Sequence, residues 1–111
     1  MVGPLGACPE LEAAMAVIHM AWIGFREGVP ADRIAQHLAA CRALVGRVPV
    51  ILDLKAGASF SDRAGSLTHC VVVTLPDRAS LPQYLSHPEH LAVLSALTPD
   101  VAEMRAMDIE V

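Results

Sequence analysis

The sequence has no stripe of basic residues. Its eight Lys and Arg are scattered, and with twelve Asp and Glu the formal net charge is −4. That balance argues against nucleic acid or an anionic membrane as partner. Cysteine is equally sparse: Cys8, Cys41 and Cys70 are odd in number and lack CxxC spacing, so neither a disulfide framework nor a zinc knuckle follows. Reduced thiols in a cytoplasm are the expectation. The first residues carry Glu10 and Glu12 rather than a basic segment, which does not fit a secretory signal. The longest apolar run, Ala13 to Ile23, covers only eleven residues, too few to span a bilayer. Internal repeats and low-complexity tracts are absent. Aromatics make up 4% of the chain, and there is a single tyrosine. What is plentiful is apolar side chain. At 54% hydrophobic and 18% charged over 111 residues, the chain can fold as one domain, and its apolar surplus suggests a second buried surface such as a subunit interface.

The order of elements can be read along the chain. Residues 1–14 hold two Gly and two Pro and are expected to form an extension ahead of a domain spanning 15–111. Residues 15–25 read as a strand apolar on both faces, with Val17, His19, Ala21, Ile23 and Phe25 on one and Ile18, Met20 and Trp22 on the other. Such a strand needs cover on both sides. Pro30 opens a helix whose stripe is Ile34, Leu38, Cys41 and Val45, and Gly46 can stop it. Residues 48–55 and 67–75 read as strands flanking a polar loop. Ser80 can cap a short helix that carries Tyr84. His87 precedes Pro88, which ends that helix and starts the next, with Leu91, Val93, Leu94 and Leu97. Residues 101–111 read as a last strand with Met104, Ala106 and Asp108 on one face. The order β-α-β-β-α-β predicts a ferredoxin-like α+β fold, with a four-stranded antiparallel sheet and helices on one side. His19 and His69 then fall on the two central strands, on one face, while Met20 and Trp22 are left to be covered by a second copy of the sheet.

Tyr84 and His90 lie six residues apart across Pro88. They can form an acid/base pair, His90 removing a proton and the Tyr84 hydroxyl donating where negative charge develops. His90 falls in the first turn of its helix, where the dipole disfavours imidazolium. The same spacing also fits a core-edge tyrosine beside a polar first-turn histidine. His87 reads as a residue that shapes the turn. His19 and His69 are unusual in apolar strands and either line a pocket or are satisfied core histidines. Three histidines could hold a metal, but no HxH or HxxxH spacing presents two together, and no metal site is assigned. Asp108 either orients His90, as the acid of a triad does, or is a solvated residue near the end of the chain. His37, Asp62 and Arg63 are expected at the surface.

Two segments carry a family resemblance: "LTHCVVV" with "YLSHPEH", from Gly65 to Val111, and "IHMAWIGFREGV" from Ile18. Over about residues 15–111 the chain resembles the stress-responsive dimeric α+β barrel domain, and within it the polyketide cyclases of the olivetolic acid cyclase type. The resemblance implies sheets paired face to face in a homodimer. It implies a cofactor-independent, lyase-type enzyme that closes a hydrophobic poly-β-keto chain by intramolecular aldol reaction. Tyr84, His90 and Asp108 would be catalytic, with His19 and His69 binding substrate. Leu67 and Leu75 depart from aromatic residues common in the family, so a different pocket lining is expected. The alternative it leaves is a non-catalytic, small-ligand-binding stress-responsive dimer.

Overall fold

Alternation in the first strand decides which side of the sheet is covered. In the computed structural model, which describes residues 15–111, β1 is Val17–Phe25, α1 Ala31–Arg42, β2 Asp53–Ala58, β3 His69–Leu75, α2 Ser80–Leu85, α3 Pro88–Leu97 and β4 Val101–Glu110, with a 3-10 turn at Thr98–Asp100. The four strands form one antiparallel sheet in the order β2-β3-β1-β4, the ferredoxin-like arrangement the element order predicts. Val17, Ile23, Leu54, Val71, Val73 and Leu75 point to one face and join Cys41, Leu44, Tyr84 and Leu97 in a single core. The other face keeps Trp22, Met107 and Ile109 exposed. Among the described residues no helix is long and apolar enough to cross a membrane. The proposed 1–14 extension lies outside the described residues.

Several local expectations change. The second strand begins at Asp53, not Val48, because Pro49 has no N–H for a ladder and the backbone from Leu44 to Ile51 is taken up by turn hydrogen bonds instead. Gly46, at φ 88°, reverses that turn after the helix has already ended at Arg42. Val48 and Ile51 remain buried, as core rather than strand. Ser80 does not cap α2. It is the helix's first residue, and the Asp77 carboxylate accepts from its N–H at 3.0 Å and from its hydroxyl at 2.7 Å. His37 is not a surface residue: it stacks on Phe25 (centroids 6.0 Å apart) and its Nε2 lies 2.7 Å from Asp100 Oδ2. Arg33 grips the same carboxylate with two bonds of 2.7 and 2.8 Å. First Arg33 and then His37 hold the Asp100 carboxyl below its ordinary pKa. This cluster ties α1 to the turn that launches β4, the strand carrying Asp108. Gly24 sits where β1 and β4 slip register, and a Cβ there would stand 2.5 Å from the Ser66 carbonyl oxygen.

Candidate active site

Between the covered sheet face and the helices lies a cavity of about 190 Å³. Its floor is His19, Ala21 and Ile23 of β1 with Met104 and Ala106 of β4. Its roof is Tyr84, His90 and leucines of α2 and α3, and its back wall is Cys41 and Leu44. Three polar side chains meet an otherwise apolar lining. Tyr84 sits between the two imidazoles, its ring centroid 4.5 Å from that of His90 and 5.6 Å from that of His19.

Local backbone places the roof. His87, extended at φ −64° and ψ 135°, caps α3, its Nδ1 accepting from the Glu89 N–H at 3.1 Å. The cap ends α2 one residue past Leu85 and starts α3 at Pro88, so Tyr84 on one helix and His90 on the next face the same space. His87 itself therefore has the turn-shaping role that its place before proline predicts. His90 Nδ1 lies 2.9 Å from the Leu85 carbonyl oxygen. A carbonyl only accepts, so Nδ1 carries the hydrogen and Nε2 keeps its lone pair. Burial, together with the nearby His19, lowers the His90 pKa against a smaller opposing effect of the Leu85 bond, and the ring is neutral at pH 7. Burial raises the Tyr84 phenol to about 12, so it stays protonated and acts as a donor. Its hydroxyl has no hydrogen-bond partner among the described residues, and no fully enclosed side-chain N or O among them lacks one. The hydroxyl therefore opens into the cavity.

Two sequence expectations need correcting here. Asp108 does not orient His90. It is directly paired with His19 across β1 and β4, and its Oδ1 lies 2.5 Å from His19 Nδ1. The carboxylate is the acceptor, so His19 also presents Nε2. His19 and His69 share a face but are not side by side. The antiparallel register pairs His19 with Val73 and His69 with Ile23, a separation of about 13 Å along the strands. His69 packs edge-on against Phe25 (5.1 Å), hydrogen-bonds Thr68 at 2.8 Å and lines a different depression with Trp22, Phe60 and Cys70. The one signal that could have found the Asp108 partner was register. In this topology the last strand borders the first, and His19, the one polar residue on the covered face of β1, falls opposite Asp108 in that pairing. Cys41 and Leu44, the back wall, read in sequence only as helix core. Among the described residues no three His, Cys, Asp or Glu side chains converge as a metal cage requires.

The model of one protein family, the stress-responsive A/B barrel domain, matches residues 17–111. Among solved structures, a dimeric ferredoxin-like protein of unknown function from Thermobifida fusca is 26% identical, with a TM-score of 0.78 over 88% of this chain and 92% of that one. A hydroxynitrile lyase from Passiflora edulis is 19% identical, with a TM-score of 0.81 over 88% and 94%. A Dabb family protein from Mesorhizobium loti is 14% identical, with a TM-score of 0.74 over 86% and 95%. No curated protein matches the chain.

Proposed function

This chain belongs to the stress-responsive A/B barrel domain family, and on that footing we propose that it is a cofactor-independent, polyketide cyclase-like enzyme. It takes a hydrophobic poly-β-keto compound and closes it by intramolecular aldol reaction. The observation that carries the reading is the Leu85 bond to His90 Nδ1, which leaves a neutral imidazole with a free Nε2 beside a protonated phenol on an apolar cavity. His90 Nε2 removes a proton from the carbon between two carbonyls. The C–H electrons pass into the enolate, whose carbon attacks the distal carbonyl, forming one C–C bond and an alkoxide. The Tyr84 O–H hydrogen-bonds the developing oxyanion, and the His90 imidazolium returns its proton to the alkoxide, so no proton is gained or lost. His19, fixed by Asp108, accepts from an enol hydroxyl of the substrate. The apolar lining folds the chain so that its ends meet, which removes entropy from the barrier. Asp108 thus serves His19, not His90, and His69 lies outside this reaction.

A lyase of this fold exists in the Passiflora edulis neighbour, which supports an active rather than a purely structural barrel. The exposed face with Trp22, Met107 and Ile109 and the dimeric Thermobifida fusca neighbour support a homodimer paired through that face. The test is His90→Ala assayed with a synthetic hydrophobic triketone that ends in a thioester, whose methylene between the thioester and the first ketone can reach the far ketone. Turnover by the wild type and its loss in a folded variant support the reading. A variant that still turns over sinks the assignment of His90. A wild type that binds the triketone and releases it unchanged replaces the enzyme with a ligand-holding dimer.

A further inference from the structure

Phe60 is fully exposed, although an apolar depression lined by Trp22, Leu67 and Cys70 lies beside it. The loop that holds it is tied down by its backbone. Ser59 N–H donates to the Thr68 carbonyl at 2.8 Å, the Ser59 hydroxyl donates to the Ser61 carbonyl at 3.0 Å, and Gly65 N–H closes a turn onto Asp62 at 3.1 Å. A large apolar ring is therefore presented outward by a hydrogen-bonded loop, at the rim of the sheet face left bare by the helices. A ring held ready in this way costs little ordering entropy when a partner covers it.

We infer that Phe60 is a clasp for a second copy of this chain, packing onto the partner's bare sheet face. The inference rests on the homodimer reading and adds the residue that secures it. Area is the first argument. Four strands about 4.8 Å apart and about 25 Å long give a face of about 500 Å². Two such faces bury about 1,000 Å², short of the ~1,200–2,000 Å² of a stable interface. Two phenylalanine rings of about 200 Å² each bring the total to about 1,400 Å². Charge is the second. The centre of the face is apolar, with Ile18, Met20, Trp22, Met107 and Ile109, and each edge is self-neutralised. Lys55 pairs with Asp53 at 2.5 Å on β2, and Arg105 with Glu103 at 3.1 Å on β4. A second copy meets both signs at each edge and no block of like charge, as a self-complementary twofold interface requires.

The experiment is sedimentation of the full chain and of its Phe60→Asp and Phe60→Ala variants across a dilution series. Phe60 contacts no core, so both variants fold, which far-UV circular dichroism verifies. Exposing two rings per dimer should raise the dimer dissociation constant at least about a hundredfold. A wild-type dimer with variants that dimerise just as tightly overturns the clasp and leaves the homodimer reading standing. A wild type that is monomeric at tens of micromolar overturns both.

Discussion

Replacing Tyr84 with Phe separates the chemistry of this site from its packing. The Tyr84 ring is 3% exposed and belongs to the core, whereas its hydroxyl faces the cavity with no partner among the described residues. Tyr84→Phe keeps the ring and leaves no buried donor or acceptor orphaned. Its stability cost should stay within about 0.5 kcal/mol, against about 3–5 kcal/mol for Tyr84→Ala, which empties a buried aromatic site. The reaction loses one preorganised donor to the oxyanion, worth about 10²–10³ in turnover, or roughly 2.7–4 kcal/mol of barrier. Urea unfolding read beside triketone turnover measures both quantities on the same preparation. A Phe variant as unstable as the Ala variant would show that the hydroxyl is structural. A stable variant that turns over within about threefold of the wild type would refute its role as donor.

The acid limb of kcat/KM should lie below pH 6.5, because burial and the neighbouring His19 lower the His90 pKa from its ordinary value of 6.5; the base is lost as pH falls through that lowered value. No alkaline limb should follow until well above pH 9, since Tyr84 holds its proton to about 12, and a profile centred above 6.5 would point to another base. Asp108→Asn should leave folding intact, its carboxylate side chain being 41% exposed, and should cut turnover about ten- to a hundredfold. It should also abolish the low-field proton NMR signal expected of a His19 Nδ1–H held 2.5 Å from a carboxylate oxygen, and persistence of that signal would dissociate the pair from Asp108.

The parts legible in the sequence were those governed by periodicity and by proline. Alternation along 15–25 placed His19 on the covered face and Trp22 on the bare one, and the same alternation in 101–111 put Met104, Ala106 and Asp108 together. Pro88 between Tyr84 and His90 marked a helix break, and that break brings the two rings to 4.5 Å. What local pattern could not supply was register. Facing the same side does not make His19 and His69 neighbours, because antiparallel pairing sets them four positions apart along the strands. Only pairing β1 with β4 residue by residue reveals that Asp108 meets His19. The misplaced start of β2 has a different origin: Val48, Val50 and Ile51 look like a strand by composition, but around Pro49 turn bonds outcompete a ladder.

The two imidazoles of the cavity are fixed by the same device with different partners, and the partners divide their work. Each has Nδ1 tied up and Nε2 presented. His90 is held by a neutral backbone carbonyl; the bond sets its tautomer and raises its pKa, but burial lowers it by more, and the ring rests as the free base. His19 is held by a carboxylate, which fixes the orientation of its ring. His19, Ala21 and Ile23 line the cavity, while Ile18, Met20 and Trp22 lie on the opposite, bare face of the sheet. Because β1 alternates strictly, a one-residue slip would carry His19 to the bare face and away from Tyr84. The Gly24 bulge therefore matters beyond its own loop: it lets β4 change register between Val101 and Glu103 without disturbing the His19–Asp108 pairing five residues further along.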